Sequence, residues 1–242
     1  HHQEKMNTTL ILKFLTEVAA NNNREWFKNH KAEYEQAKGE FEQGVTQLIQ
    51  TIAKFDPSIA HLTAKDCCYR FYRDIRFSPD KAPYKRHFGA YIAAHGKKAL
   101  HGGYYIHLQP DHCLLAIGNY WLPTNILTAV RNEIMGNTEL WKECVDNKAF
   151  IDCYGRPEGS SWQGGYPESD KGFGIGHLKK VPKDFPKDFV YADYLKMKDF
   201  CAWHAVDNDF FAKDNWLEEV TRIFKIGKPM MDFTNSVIDD YE

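Results

Sequence analysis

Residues 103–118, GYYIHLQPDHCLLAIG, carry the strongest secondary-structure pattern in the chain. Apolar and polar side chains alternate on both sides of Pro110-Asp111, a residue pair that favours a tight turn. The pattern predicts a β-hairpin, and therefore an antiparallel sheet at the centre of the fold. The side chains assigned to one face of this hairpin are those of Tyr104, Ile106, Leu108, Cys113, Leu115 and Ile117.

Helical periodicity dominates the sequence before the hairpin. Apolar residues recur every three or four positions over residues 7–20 and again over residues 23–54, which predicts two helices, the second one long. Asn22 and Glu25 have the spacing of a capping box at the start of the second helix. Further strands are predicted over 67–77, 88–94 and 194–204, and further helices over 123–135, 138–147, 207–225 and 228–240.

These elements predict an α+β fold, with a largely antiparallel sheet flanked by helices and a long N-terminal helix. A chain of 242 residues fits one large domain, which we place over residues 7–242. Residues 1–6 are interpreted as a tag remnant or disordered start, with Met6 as a plausible natural first residue. Residues 154–189 are rich in glycine and proline and are predicted to form a long irregular excursion.

Composition excludes several classes of function. The net charge of −2 argues against nucleic-acid binding over a broad basic surface. The longest apolar run, Cys113 to Ile117, is too short to cross a bilayer, so no membrane association is expected. Six cysteines without a C-x-x-C pair indicate reduced thiols and a cytoplasmic protein, and no metal site is predicted. The sequence names no cofactor and no protein partner.

Positive charge is concentrated in residues 70–87, RFYRDIRFSPDKAPYKRH, which hold six Arg or Lys and two Asp. Pro79 and Pro83 restrict the backbone there, so the side chains between them are expected to be held rigidly. Guanidinium and ammonium groups in such a turn suit a phosphate or carboxylate. The candidate ligand-binding residues of this segment are Arg73, Arg76, Lys81 and Lys85.

Two functional hypotheses follow from this segment. In the first, the protein binds or transforms a phosphorylated or carboxylated small molecule, with a nucleotide as one candidate. Asp74 or Asp80 would then act as a general base or orient an arginine, and Tyr84 would position the ligand. In the second, the charges form a structural salt-bridge network, and the protein is a non-catalytic interaction module. The sequence leaves both hypotheses open, and whether the protein is an enzyme stays undecided.

Several motifs, in the same order along the chain, resemble those of the bacterial and fungal family called domain of unknown function 2461. The longest is RDIRFSPDKAPYK at residues 73–85, and the others lie at 22–27, 103–105, 195–198 and 229–233. The resemblance covers about residues 10–238 and implies a single-domain cytoplasmic protein with no assigned activity. It also draws attention to Arg131 and Lys198, which join the candidate ligand-binding residues.

Overall fold

The computed structural model describes residues 5–242, so the predicted tag remnant at His1 and His2 lies outside the described residues. The fold is α+β, as predicted. The helices are α1 (Thr8–Ala20), α2 (Arg24–Asn29), α3 (Lys31–Ala53), α4 (Ala64–Cys67), α5 (Thr124–Gly136), α6 (Thr138–Val145), α7 (Lys148–Tyr154), α8 (Ala192–Leu195) and α9 (Trp216–Ile238). The strands are β1 (Phe88–Ile92), β2 (Gly103–Leu108), β3 (Cys113–Asn119), β4 (Trp162–Gln163), β5 (Tyr166–Pro167), β6 (Lys171–Phe173) and β7 (Phe200–Val206).

Five strands form an antiparallel sheet in the order β1-β2-β3-β7-β6. The predicted hairpin is confirmed as β2 and β3, with Asp111 at a positive φ of 64° in the connecting turn. Aspartate tolerates this left-handed conformation better than most residues, which explains its position after Pro110. The strand predicted over 88–94 is confirmed as β1.

The N-terminal helices are confirmed, but the second begins differently from the prediction. Helix α1 matches the predicted helix over 7–20, whereas the predicted helix over 23–54 is divided into α2 and α3 at His30. The Nδ1 of His30 lies 2.7 Å from the carbonyl oxygen of Trp26, and the two rings stack at 4.0 Å. The α2 cap is Asn23, which accepts from the amide of Trp26, so the predicted capping box at Asn22 is wrong.

Three further predictions need correction. Residues 67–77 do not form a strand, since Phe71 is buried and Phe77 is 92% exposed, so no common apolar face exists. The strand predicted over 194–204 is confirmed only from Phe200, because α8 occupies its first residues. The two predicted C-terminal helices are one continuous helix, α9, which contains Pro229. Helices α5 and α6 lie where they were predicted.

The glycine-rich segment over 154–189 is mostly irregular, as predicted, but contains three short strands. Strands β4 and β5 pair with each other, and β6 pairs with β7. Gly172 in β6 faces Trp203, and a Cβ at this position would lie 2.0 Å from the indole ring. The glycine therefore permits the close approach of β6 to the tryptophan.

The described residues divide into two compact units. The first unit comprises the described chain up to Lys97, together with Tyr105–Leu114 and Val206–Thr221. Its core is aromatic, with Phe14, Phe41 and Phe88 buried. The second unit comprises Lys98–Tyr104, Leu115–Ala205 and Arg222–Glu242. Its core includes the fully buried side chains of Trp141, Phe150, Phe200 and Trp203. The prediction of a single domain stays a prediction.

Within residues 5–242, no helix combines the length and the apolar composition that a membrane-spanning segment requires.

Candidate functional site

The basic segment 70–87 is held by a short ladder of backbone hydrogen bonds in the first unit. Tyr72 and Tyr84 form an isolated antiparallel bridge. The amide of Arg73 donates to the carbonyl of Pro83 at 2.9 Å, and the amide of Lys85 donates to the carbonyl of Phe71 at 2.9 Å. These bonds fix the two ends of the loop between residues 74 and 82.

Arg73 holds this loop from its base. Its Nη1 donates to the carbonyl of Ala82 at 2.6 Å and to that of Asp80 at 3.2 Å, while Nη2 donates to the Ser78 hydroxyl at 3.2 Å. Nη1 also lies 3.5 Å from the Asp80 carboxylate. The carboxylate itself accepts from the amide of Ala82 at 2.9 Å. One guanidinium therefore organises most of the turn that was predicted to be rigid.

The other charged groups of the loop are engaged locally. Arg76 makes a bidentate pair with Asp74 through Nε and Nη2, at 3.0 and 2.9 Å. These bonds hold the pKa of Asp74 below its ordinary value, which disfavours Asp74 as a proton acceptor. Lys81 Nζ donates to the carbonyl of Ile75 at 2.8 Å. Part of the predicted basic cluster is thus a salt-bridge network, as the structural alternative expected.

Asn22 connects the start of α2 to this ladder. Its side-chain amide donates to the carbonyl of Tyr84 at 2.9 Å, and its side-chain oxygen accepts from the Tyr84 amide at 3.1 Å. The two bonds pair the side-chain amide of Asn22 with the backbone of Tyr84, in the way that neighbouring strands pair their peptide groups. Because Asn22 immediately precedes the Asn23 cap, the basic side chains of α2 are placed beside Tyr72 and Tyr84.

A pocket of about 380 Å³ lies between α2 and the ladder. We call it the α2 pocket. Phe27 and Tyr84 stack within it at a centroid distance of 4.0 Å, and the Tyr72 ring meets Phe27 edge-on at 5.8 Å. The residues that line the α2 pocket are Arg24, Phe27, Lys28, Lys31, Tyr72, Arg73, Pro83 and Tyr84.

The α2 pocket is lined by four cations and no carboxylate. Within residues 5–242, no carboxylate pairs with Arg24, Lys28 or Lys31, and only Arg73 shares its charge with an acid, Asp80. Burial raises the pKa of Tyr84, so its phenol remains protonated at neutral pH and can donate a hydrogen bond. Such a lining is complementary to an anion with a planar or apolar portion.

The structure brings only two of the predicted site residues, Arg73 and Tyr84, into this pocket. Asp74, Arg76 and Lys81 belong to the loop contacts described above, and Asp80 reaches the pocket only through Arg73. The remaining candidates are elsewhere. Lys85 contacts the face of Tyr69, Arg131 is buried in the second unit and donates to the carbonyl of Met197, and Lys198 is exposed in that unit.

Sequence reasoning missed Arg24, Lys28 and Lys31. The pattern that would have indicated them is in NNNREWFKNHK, residues 21–31, where the three cations are four and then three positions apart. That spacing places side chains on one face of a helix. Nothing in the sequence shows that this face meets residues 72–84.

The chain matches the family described as conserved hypothetical protein, DUF2461, over residues 10–233. No curated protein and no solved structure matches the chain. The matched region includes the whole of the α2 pocket and the whole of the sheet, and it agrees with the resemblance drawn from the RDIRFSPDKAPYK motif. The chain therefore belongs to the DUF2461 family of conserved hypothetical proteins.

Proposed function

We propose that the α2 pocket binds a phosphorylated or carboxylated small molecule, with a nucleotide as one candidate. The observation that supports this proposal is the lining itself, in which Arg24, Lys28, Lys31 and Arg73 surround one hollow without a carboxylate among them. Four cations in one hollow repel each other, and a bound anion would remove that repulsion. The volume of about 380 Å³ is within the range of small-molecule sites, roughly 300–1,000 Å³.

The lining assigns separate tasks to separate groups. Arg24 offers a planar fork for two oxygens of the anion, and Lys28 and Lys31 add point charges. The Tyr72 ring, 47% exposed, offers a surface on which a base or sugar ring can stack. The catalytic roles assigned to Asp74, Asp80 and Tyr84 stay predictions, and Tyr84 is the member of that group within the pocket.

The test is calorimetric titration of the protein with inorganic phosphate, a nucleoside monophosphate and a dicarboxylate, each at two ionic strengths. We expect at least one of them to bind, and the affinity to fall as salt screens the lining. A ligand present at one hundred times its Kd should also stabilise the fold by about 2.7 kcal/mol.

A double variant, Lys28→Gln with Lys31→Gln, removes two charges from the pocket while keeping the length of both side chains. It should weaken binding by roughly tenfold or more, since a hydrogen bond to a charged group is worth about 1.5–3 kcal/mol. Lys81→Gln is the matched control, because Lys81 belongs to the same basic region but does not line the pocket. Equal loss in both variants, or no binding by any of the three ligands, would contradict the proposal.

A protein-interaction module is the second candidate, and one observation favours it. Phe77 is 92% exposed at the 74–82 loop, with the Arg76 guanidinium 5.7 Å from its ring centroid. An exposed aromatic residue beside an arginine is typical of the residues that dominate protein interfaces. If this is the function, Phe77→Ser should abolish association with a partner in light scattering or pull-down while leaving anion binding unchanged.

We also place the protein in the cytoplasm. This placement is supported by the cysteines, since all six are free and five of them are buried. Burial raises the pKa of Cys67 and Cys68 to about 12, which keeps both thiols protonated and unreactive. Fusion of the intact chain to a redox-insensitive fluorescent protein, followed by fractionation, checks this placement.

A further inference from the structure

A second group of cations lies around Tyr69 in the first unit, apart from the α2 pocket. Lys85 Nζ is 5.6 Å from the centroid of the Tyr69 ring, and Lys97 Nζ is 5.4 Å from the same centroid. The side-chain nitrogens of two lysines thus lie near one aromatic ring. Arg70 is close enough to repel the charge of Lys85 as well.

The backbone fixes these side chains firmly. Tyr69 donates its amide to the carbonyl of Gly89 at 3.0 Å, next to the bridge between Cys68 and Ala90. Lys97 Nζ donates to the carbonyl of Cys68 at 2.7 Å, so its ammonium group has a defined position. The backbone amide of Lys85 donates a hydrogen bond to the carbonyl of Phe71. The backbone of Tyr69 and of Lys85 and the ammonium group of Lys97 therefore have defined positions.

No acid compensates the charge of Lys85. Within residues 5–242, no carboxylate pairs with its amine, and the side chain is half-buried. Burial lowers the pKa of Lys85, and repulsion from Arg70 and Lys97 lowers it further. A lysine that is desolvated beside other cations has an enlarged fraction of free amine, which is the nucleophilic form.

Two histidines also bear on the charge around this amine, since Lys85 repels the charged form of His87. The rings of His87 and His107 stack at 4.2 Å. Burial lowers the pKa of His87 to about 3, and repulsion from His107 and from Lys85 contributes to the same shift. Both imidazoles are therefore neutral at physiological pH and add no charge of their own beside Lys85.

We propose that Lys85 is the nucleophilic amine of a second site, which takes a small carbonyl compound carrying a carboxylate or phosphate group. Arg70 and Lys97 supply the positive charge that holds the anionic group next to the amine. The amine nitrogen forms a bond to the carbonyl carbon, and the carbonyl oxygen leaves as water with the two amine protons. The product is an imine between Lys85 and the substrate. No oxidant or reductant is required for this step.

The experiment traps the imine in the intact protein. Wild-type protein is incubated at pH 7 with glyoxylate and cyanoborohydride, and the modified lysines are mapped by peptide mass spectrometry. We expect modification at Lys85 to be at least about tenfold faster than at Lys81, since the free amine reacts and the ammonium group does not. Lys81 is an internal reference from the same segment whose ammonium donates to a carbonyl. Acetaldehyde, which lacks the anionic group, should show less preference for Lys85.

Two variants separate reactivity from folding. Lys85→Arg should remove the dominant adduct, and Lys97→Met should slow trapping at Lys85 and move the midpoint of its pH–rate profile upward. If Lys97→Met fails to fold, the wild-type protein decides the matter, because glyoxylate must modify Lys85 faster than Lys81 at pH 7. Equal trapping of the two lysines by glyoxylate would overturn the proposal. The two sites share no side chain, so failure of one leaves the other standing.

Discussion

Arg73 and Arg76 are three residues apart in the same basic segment, yet the structure gives them different tasks. Arg73 is 26% exposed at its side chain and donates to two carbonyls and a hydroxyl of the loop that it supports. Arg76 is 76% exposed and bonds to Asp74, two residues earlier. Removal of the Arg73 guanidinium leaves two loop carbonyls without their hydrogen-bond donor. Removal of the Arg76 guanidinium leaves Asp74, whose exposed carboxylate can bond to water instead.

We therefore expect Arg73→Ala to destabilise the protein by about 1–3 kcal/mol, and Arg76→Ala to change stability very little. Urea unfolding followed by circular dichroism measures both effects. The two variants remove the same group from the same segment, so each is the control of the other. A large loss of stability with Arg76→Ala would contradict this prediction, because it would show that the exposed Arg76–Asp74 pair stabilises the fold.

A second prediction at the residue scale concerns His107, which is 4% exposed. Its Nδ1 lies 2.8 Å from the Tyr105 hydroxyl and its Nε2 lies 2.9 Å from the side-chain oxygen of Gln109. A neutral ring satisfies both contacts, since Nδ1 accepts from the hydroxyl and Nε2 donates to the amide oxygen. Burial lowers the pKa of His107 to about 4, from an ordinary value near 6.5.

Because the pKa of His107 is lower in the folded state, its protonation favours the unfolded state. Neutral His107 therefore contributes roughly 3 kcal/mol to the free energy of unfolding. This contribution is complete above pH 6.5 and is lost as the pH falls toward 4. His107→Gln should remove this part of the pH dependence, and the exposed His61→Gln should leave it intact. Urea unfolding of the three proteins at pH 7.5 and pH 4.5 provides the comparison. Identical pH dependence of all three would contradict the prediction.

At the scale of elements, periodicity was sufficient wherever one face of a segment is continuously buried. The hairpin of β2 and β3 and the helices α1, α5 and α6 were predicted because their apolar residues face a core. The strand over 67–77 was predicted from an alternation of apolar and polar residues, but its apolar residues do not share one buried face. Side-chain bonds from Arg73 and Arg76 to their own loop determine the conformation there, and such bonds leave no periodic pattern in the sequence.

Helix α9 illustrates the opposite error. Two helices were predicted here, over 207–225 and 228–240, and Pro229 is unfavourable in a continuous helix because proline removes a backbone donor and costs about 3 kcal/mol inside a helix. The helix continues through it, with Ile223, Phe224 and Met230 fully buried or nearly so. Burial of a large apolar side chain contributes about 1.5–3 kcal/mol, so three such residues outweigh the proline.

Two helix glycines test whether packing outweighs helix propensity, as it does at Pro229. Gly39 in α3 has no neighbour within 4 Å of a built Cβ, whereas a Cβ on Gly227 in α9 would lie 2.5 Å from the Cγ2 of Ile117. We expect Gly39→Ala to stabilise the protein by about 0.5–1 kcal/mol, because alanine is the better helix former. Gly227→Ala should destabilise it, since β3 and α9 would have to separate locally. Thermal melting of the two variants gives the signs, and a stabilising Gly227→Ala would refute the packing argument.

At the scale of the whole molecule, the candidate site combines segments that are far apart in sequence. The sequence indicated the importance of residues 70–87 through charge and proline content, and Arg73 and Tyr84 do line the α2 pocket. It gave no indication that Arg24, Lys28 and Lys31 would join them. The connection is made by Asn22, whose side chain bonds to the backbone of Tyr84 across 62 residues. A contact of this kind depends on the three-dimensional path of the chain, which periodicity does not report.

The division into two compact units bears on how the molecule unfolds. The chain passes from one unit to the other inside four elements. The crossings lie in β2 after Tyr104, in β3 after Leu114, before the last residue of β7, Val206, and in α9 after Thr221. Unfolding one unit alone would therefore cut β2, β3 and α9 at interior positions and separate the last residue of β7, where no cap exists to satisfy the exposed backbone groups. Such a state is costly, so we expect both units to unfold together.

Native-state hydrogen exchange at increasing urea concentration tests this expectation, because it reports on each unit separately. Peptides from α3 represent the first unit, and peptides from α6 and α7 represent the second. If the chain is one cooperative domain, the slowest amides of both sets should converge on the same free energy of opening and the same dependence on urea. Reporters within β2 and α9 should join the same transition. Separate free energies for the two sets would show that residues 7–242 form two folding domains that share four elements.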